Sequence, residues 1–146
     1  MTNNPDEHLI DLLLRRFSWM EAALSERLAA GGWEMLTRPQ IMLFAYLQGP
    51  GSSSSDIARH LRISRQAVHQ MVKELEKRGL IKQIPDPDRG NAKLIIKSEK
   101  GYQLNDIARE YLRDIDQRVA DRIGEEKLEL LRTILLTDWD QEKATE

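Results

Sequence analysis

Residues 53–97 read SSSDIARHLRISRQAVHQMVKELEKRGLIKQIPDPDRGNAKLIIK, with two short helical patterns followed by two apolar segments around a charged turn. This order is helix, turn, helix and wing, in which one helix end enters the major groove of DNA while a β-hairpin reaches the flanking backbone. The stretch therefore predicts a protein that binds duplex DNA.

Serines begin both helices of this motif. Ser53 with Asp56 has the form of a capping box, and Ser64 is expected to cap the second helix, which Gly79 ends. The apolar side of the second helix is predicted to be buried and consists of Ala67, Val68, Met71, Val72 and Leu75.

The opposite side of the second helix has side chains suited to DNA. Arg65 can make two hydrogen bonds to guanine, and Gln66 or Gln70 can do the same with adenine. Lys73 and Lys77 lie further along the helix and are expected to reach phosphates, which adds affinity but little choice of sequence.

The charged turn, residues 86–91, separates two predicted strands, residues 80–84 and 94–96. It places Arg89 near the hairpin tip, where an arginine can enter a narrow minor groove. A solvated turn with a surface ion pair is the alternative, and His69 is equally consistent with a DNA contact and with an exposed histidine of no function. The full set of predicted DNA-binding residues is Ser64, Arg65, Gln66, His69, Gln70, Lys73, Lys77, Arg89 and Lys93.

Long amphipathic patterns flank this core. Apolar residues recur every three or four positions from Leu9 to Leu28 and predict a helix over residues 7–30, while Thr37 and Gln40 form a capping box for a helix from Arg38 to about Gln48. Residues 99–138 predict a long helix, a break near Gly124, and a last helix. The apolar faces of these end helices are too broad for a winged core to cover, so a homodimer is expected.

Charge is unevenly distributed along the chain. The 146 residues carry a net charge of −2. The segment Arg59–Lys97 has ten basic and four acidic residues, a net of +6, whereas the other twelve basic and twenty acidic residues give −8. A segregated charge of this kind favours one surface that faces a polyanion, although a lysine-rich solvated helix face would give the same count.

Other features exclude several classes of protein. No apolar run approaches 18 residues and the start MTNNPDEH is polar, so neither a membrane span nor a signal peptide is expected. A cytoplasmic location is therefore expected. The chain has no cysteine and therefore no disulfide or thiolate site. None of its three histidines lies at metal-ligand spacing from carboxylates or beside a nucleophile, and no glycine-rich phosphate loop occurs, so no metal, cofactor or catalysis is expected.

Taken jointly, SDIARHLRISRQAVHQMVKELEKRGLI, the DPDRG turn and SEKG resemble the MarR family of winged-helix transcription regulators. The resemblance covers nearly the whole chain. It implies one domain over residues 1–146 that is mainly α with a small β-hairpin wing, in which a winged helix-turn-helix core over about residues 37–98 lies between dimerisation helices at about 7–30 and 99–138.

The resemblance also implies roles for residues and partners. Arg65, Gln66, His69 and Gln70 would lie in the major groove and Arg89 in the minor groove, while the interlocked end helices would form a homodimer that reads near-palindromic half-sites ~34 Å apart. Two places depart from the family pattern. Gly90-Asn91 follows Asp88-Arg89 where many members have a second arginine, and Lys97-Ser98 replaces a frequent leucine and threonine.

Family members are commonly released from DNA by small aromatic or phenolic compounds or by thiol oxidation, and this chain has no thiol. The resemblance places such an effector between the dimerisation helices and the winged core. Trp19, Trp33 and Met42 are the residues predicted to line that site, with ordinary core packing as the alternative.

Two functions from different classes follow. The first is a dimeric transcription regulator, and more specifically a repressor, because a dimer on a promoter excludes polymerase. The second is a winged-helix interaction module without sequence-specific DNA binding, whose basic face meets an acidic protein or whose hairpin edge pairs with a peptide.

Overall fold

A computed structural model describes residues 7–139, which form six helices and one two-stranded antiparallel sheet. In chain order the elements are α1 Leu9–Ala30, α2 Arg38–Tyr46, α3 Ser54–Leu61, α4 Arg65–Lys77, β1 Ile81–Pro85, β2 Lys93–Lys97, α5 Glu99–Ile123 and α6 Glu125–Leu136. The predicted fold class, mainly α with a β-hairpin wing, is thereby confirmed. Most of the polar start, from which the absence of a signal peptide was inferred, lies outside the described residues.

Contacts group the described chain into two compact units. One is Ser25–Arg109, which contains the helix-turn-helix and the hairpin, and the other combines the chain up to Leu24 with the chain from Glu110 onward. No helix between residues 7 and 139 is both long enough and apolar enough to cross a membrane.

The predicted capping residues begin the helices of the unit Ser25–Arg109. Before α2, the Gln40 amide donates to Thr37 Oγ1 (3.4 Å) and the Thr37 amide donates to Gln40 Oε1 (3.0 Å), which completes the capping box. Ser53 accepts from the Asp56 amide at 3.2 Å and Ser64 from the Ala67 amide at 3.1 Å. These bonds satisfy amides that have no partner within the helix, and they fix where each helix starts.

The core of this unit lies between α2, α3, α4 and the hairpin. Helix α2 contacts α3, α3 packs against α4, and α4 contacts β1. The side chains buried most completely there are Leu43, Ile57, Val68, Leu75, Leu80 and Ile95.

One residue predicted to be buried on α4 is not. Val68, Val72 and Leu75 are buried and Met71 is half-buried, but Ala67 is exposed. Because Cβ atoms tilt toward the amino terminus of a helix, a side chain in the first turn points past the packed part of α4.

The hairpin has an additional partner that the sequence did not indicate. Strands β1 and β2 pair from Ile81 with Lys97 to Pro85 with Lys93. The Ser52 amide also donates to the Ile95 carbonyl (3.1 Å), and the Ile95 amide donates to the Ser52 carbonyl (2.9 Å). A strand of one residue has no alternating pattern by which to predict it. Gly51 precedes it with φ +109°, and a Cβ there would lie 2.6 Å from Cγ2 of Ile96, so no other residue fits without a shift.

Helix α5 starts close against the end of α4. Ser98 caps it by accepting from the Gly101 amide at 3.0 Å, and the Ser98 amide donates to the Leu80 carbonyl at 3.0 Å. A Cβ on Gly101 would overlap the Leu80 carbonyl oxygen, so glycine allows this approach.

Lys97 is buried at the base of the wing, with 3% of its surface exposed. Its ammonium group lies 4.9 Å from the ring centre of Phe44 and 5.8 Å from that of Tyr102, and it donates to Asn105 Oδ1 at 3.4 Å. Ring faces and one amide oxygen thus replace part of the water that the charge has lost.

The unit formed by both chain ends has a small interior and a large apolar exterior. Ala23, Ile115, Ala120 and Leu128 are buried. The exposed apolar side chains of its helices include Leu9, Ile10, Leu13 and Leu14 of α1 and Leu130, Leu131, Ile134 and Leu135 of α6.

Candidate nucleic-acid interface

The exposed side of α4 carries the residues predicted to read DNA. Gln66, Gln70, Lys73 and Lys77 are spaced four, three and four residues apart and therefore lie on one side of the helix. All four are exposed, as are the neighbouring Arg65 and His69. The structure thus brings together six of the nine predicted residues on one helix, and their contacts with DNA stay a prediction.

Ser64 is exposed, and its hydroxyl accepts the Ala67 amide at the start of α4. The first amides of a helix carry partial positive charge and attract phosphate. Ser64 therefore orders the start of α4, and Arg65 and Gln66 follow it directly.

A hydrogen-bonded chain links the exposed side of α4 to α2. Gln70 Nε2 donates to one carboxylate oxygen of Glu74 at 2.8 Å, and Gln40 Nε2 donates to the other at 3.1 Å. Gln40 is 5% exposed, so the carboxylate lies between a buried amide and an exposed one. Sequence reasoning missed both Gln40 and Glu74 as site residues. The only available signal was an acidic residue four positions after a glutamine on an otherwise basic face.

The wing turn is organised by backbone and carboxylate hydrogen bonds. The Asp88 amide donates to Asp86 Oδ1 at 2.9 Å, and the Ala92 amide donates to the Arg89 carbonyl at 2.9 Å. Asp86 thus orders the turn itself. Arg89 and Lys93 are both exposed, Arg89 in the turn and Lys93 at the start of β2.

The carboxylate of Asp56 at the start of α3 has a hydrogen-bond donor and a cation as close neighbours. The pKa of Asp56 is lowered, first because the Ser53 hydroxyl donates to its carboxylate at 2.7 Å, and also through the charges of Arg59 and Arg89. Asp56 and Arg59 form an exposed ion pair at 3.1 Å.

A second link joins α4 to the wing. Gln83 Nε2 of β1 donates to both carboxylate oxygens of Glu76, at 3.2 Å each. The two acidic residues of α4 thus contact different elements, Glu74 toward α2 and Glu76 toward β1.

The residues predicted to line an effector site have different surroundings. Trp33 lines a cavity of about 450 Å³ together with Gly31, Gly32, Glu34, Arg78, Leu80 and Lys100. Met42 is exposed and does not line that cavity. Trp19 belongs to the other unit, where the Arg118 guanidinium lies 5.2 Å from its ring centre. Their role toward an effector stays a prediction.

The cations of that cavity already have partners. Arg78 Nη2 donates to the Glu34 carbonyl at 2.6 Å and its Nε lies 3.5 Å from the Glu34 carboxylate, while Lys100 Nζ donates to the Arg78 carbonyl at 3.0 Å. These hydrogen bonds connect the segment after α1 to the end of α4.

The sequence of the helix-turn-helix region matches a known protein family. The model of the MarR family matches residues 36–90, which include the helix-turn-helix, strand β1 and most of the wing turn. No curated protein sequence matches the chain.

Solved structures share the fold over most of their length. The repressor CouR of Rhodococcus jostii RHA1, bound to a 23-mer DNA duplex, has a TM-score of 0.71 and 22% identity, with 92% of this chain and 94% of that one covered. MepR of Staphylococcus aureus, a regulator of the multidrug efflux pump MepA, has a TM-score of 0.68 and 22% identity, with 88% of this chain and 94% of that one covered. A MarR family protein of Mycobacterium tuberculosis in complex with salicylic acid has a TM-score of 0.64 and 26% identity, with 90% of this chain and 96% of that one covered.

Proposed function

We propose that this chain, which has a winged helix-turn-helix fold and matches the MarR family model over residues 36–90, is a homodimeric transcription regulator in the cytoplasm that binds a near-palindromic operator and represses transcription from it. The single observation that carries this proposal is the exposed face of α4, on which arginine, glutamine and lysine side chains lie together beside a positively charged wing. The regulator would act by binding alone, without a catalytic step.

The residues of α4 divide the task between them. Arg65, Gln66 and Gln70 have the donor and acceptor geometry for base edges, and they lie in the first half of the helix, which enters the groove most deeply. Lys73 and Lys77 lie in the second half, where a helix leaves the groove and approaches phosphates. Arg89 and Lys93 of the wing would bind the flanking backbone or the minor groove.

Relatives support the partner classes. The CouR structure contains a DNA duplex, and the Mycobacterium tuberculosis structure contains salicylic acid. We therefore propose duplex DNA as the partner and a small aromatic acid or phenol as an effector that releases it.

The proposed dimer rests on exposed apolar surface. Leucine and isoleucine side chains of α1 and α6 are exposed in the unit that the chain ends form, and Leu130 is 60% exposed. Apolar side chains in such number mark an interface in most proteins. A two-fold partner would cover them and would place two copies of α4 one helical turn of DNA apart, ~34 Å.

The test is selection of binding sites from random duplex DNA by the full-length protein, followed by affinity measurements across salt concentrations. We expect an enriched near-palindrome whose binding weakens steeply with salt. Arg65→Ala should reduce the preference for the selected sequence at one symmetric position by roughly fivefold or more. Lys73→Ala should weaken all sequences alike and reduce the salt slope by about one for each phosphate that the protein no longer neutralises.

Lys127→Ala on α6 is the matched control, since it removes one positive charge from an exposed residue far along the chain from α4. Its binding should equal that of the unaltered protein. Failure to enrich any motif, with uniformly weak binding in the absence of added compounds, would contradict the proposal and favour an interaction module. Addition of salicylic acid to the complex of the protein with its selected operator tests the proposed effector. Unchanged affinity for the operator across a panel of aromatic acids would contradict the proposal of an effector.

A further inference from the structure

An acidic residue stands on the face of α4 that is proposed to meet DNA. Glu74 follows Lys73 and lies one turn after Gln70. A carboxylate near phosphates is repelled by them, so its presence weakens DNA binding by simple electrostatics. The structure gives this residue two amide partners, and these hydrogen bonds suggest what it contributes in return.

The direction of the hydrogen bonds is fixed from the buried end. Gln40 Oε1 accepts the Thr37 amide at 3.0 Å, so its Nε2 must face the other way, toward Glu74 at 3.1 Å. Rotating this amide by a half-turn would place its oxygen against a carboxylate and leave the Thr37 amide facing an NH₂ group. The capping box of α2 therefore orients Gln40, and Gln40 orients the Glu74 carboxylate.

The other carboxylate oxygen of Glu74 fixes Gln70. Gln70 Nε2 donates to this oxygen at 2.8 Å, which uses one of the two N–H groups of the amide. The second N–H and the Oε1 remain on an exposed side chain. A glutamine that pairs with adenine needs one donor for N7 and one acceptor for the N6 amino group, which are the two groups that Gln70 retains.

A glutamine side chain on a helix surface has several rotamers, and binding a base in one of them costs entropy. An amide already held by Glu74 loses less on binding. We infer that Glu74 is a positioning residue that sets a preference for adenine at the base contacted by Gln70, and that Gln40 holds Glu74 for this role. The inference rests on the proposed function, because it concerns how α4 selects its operator.

The inference predicts two effects of opposite sign for Glu74→Ala. Removing the carboxylate frees Gln70 and should lower the preference for adenine over the other bases at one symmetric operator position by about threefold to tenfold. The same change removes a negative charge, so affinity for random duplex DNA should increase at low salt. A residue that only ties α2 to α4 would leave base preference unchanged or weaken all binding together.

The experiment compares binding of the full-length protein to the selected operator, to operators substituted at each position, and to random duplex. Gln70→Ala identifies the position, where preference should fall by about fivefold or more. In the Gln70→Ala background, Glu74→Ala should reduce preference no further. Additive losses in this double-mutant cycle would overturn the inference.

Glu76→Ala is the matched control. It removes an acidic residue from the same helix whose partner is Gln83 of the wing and not Gln70. Affinity for random duplex should increase as with Glu74→Ala, while preference at the Gln70 position should stay as in the unaltered protein.

Glu74→Gln covers the case in which the alanine variant folds poorly. The two amides donate to different oxygens of the Glu74 carboxylate, and this variant replaces one of those oxygens with an NH₂ group that cannot accept. One of the two hydrogen bonds is therefore lost, and the adenine preference should be intermediate at unchanged side-chain shape. An adenine preference equal to that of the unaltered protein in both variants would overturn the inference while the proposed function stands. If the unaltered protein selects no motif, the proposed function and the inference fail together.

Discussion

Arg62 ends α3 in the left-handed region, with φ 55° and ψ 43°. This conformation costs an ordinary L residue roughly 1 kcal/mol or more relative to glycine, which adopts it freely. We expect Arg62→Gly to raise the free energy of unfolding by about 1 kcal/mol, measured by urea denaturation of the full chain.

Arg62→Ala separates the backbone effect from removal of the side chain. Alanine keeps the left-handed penalty, so its stability should not exceed that of the unaltered protein. Equal stabilisation by both changes would show that the side chain, and not the backbone angle, is unfavourable.

The buried charge of Lys97 predicts a pH effect. Burial lowers its pKa from the ordinary 10.5, the nearby charge of Arg109 lowers it further, and Asp106 opposes the change. The unfolded chain therefore holds this proton more tightly than the folded one. At pH values below the pKa of Lys97 in the folded protein, the buried charge lowers the free energy of unfolding by its full amount. The free energy of unfolding then rises as the pH increases from that pKa toward 10.5.

Lys97→Met should consequently increase stability at pH 7 by about 1 kcal/mol, and the advantage should shrink as the solution becomes alkaline. Thermal unfolding at a series of pH values from neutral to alkaline measures both effects. Lys93→Met on the same strand is the control, since Lys93 is exposed and its replacement should give no pH-dependent difference. A stability advantage for Lys97→Met that grows with pH would contradict a lowered pKa of Lys97.

Local chemistry made some residues predictable and tertiary packing hid others. Thr37, Ser53 and Ser64 were identified as caps because the bond they accept comes from an amide three residues away. The burial of Lys97 was not predicted, because its ring partner Phe44 lies on α2, far away in sequence.

At the scale of elements, the contact of α5 with the end of α4 depends on one glycine. Gly101→Ala would drive a methyl group into the Leu80 carbonyl and should destabilise the protein by about 2 kcal/mol, the usual cost of overpacking. Gly90→Ala is the matched control, because nothing lies within 4 Å of a Cβ there. Denaturant titration should show a lower midpoint for the first variant only. Equal midpoints would mean that α5 shifts away from Leu80 at little cost.

Element boundaries followed from periodicity and caps, and the exceptions have physical reasons. The strands predicted at residues 80–84 and 94–96 are Ile81–Pro85 and Lys93–Lys97, and the break near Gly124 separates α5 from α6. Helix α2 ends at Tyr46, two residues before the predicted Gln48. Ala67 was assigned to the buried side because helical periodicity takes no account of where the packing partner ends.

At the scale of the whole molecule, the exposed apolar residues of the end helices predict association. Leu135→Glu should disrupt the proposed dimer, since a charge would be buried in an apolar interface at a cost of several kcal/mol. Sedimentation should then show a monomer, and operator affinity should fall by at least roughly tenfold because a monomer neutralises half as many phosphates.

Thr133→Glu on the same helix is the control for this change. It also introduces an acidic residue at an exposed position, but helical spacing places Thr133 away from the face that carries Leu130, Leu131, Ile134 and Leu135. It should remain dimeric. An unaltered protein that sediments as a monomer at micromolar concentration would contradict the prediction directly.

The sequence predicts which residues lie on the exposed side of α4, but it does not predict the hydrogen bonds that link them to α2. The polar side of α4 follows from helical spacing, and all six of its predicted residues are exposed. Hydrogen bonds among Gln40, Glu74 and Gln70 depend on how α2 is placed against α4, which no spacing within one helix reveals.

The bridge between Ser52 and Ile95 bears on how the molecule avoids aggregation. A two-stranded hairpin has two open edges, and each can recruit a strand from another chain and start a growing sheet. Ser52 occupies the edge of β2 at its middle, and β1 ends in Pro85, which has no amide hydrogen to offer. Two small features of the backbone thus remove hydrogen-bonding positions from both open edges of the wing and disfavour pairing of its copies edge to edge.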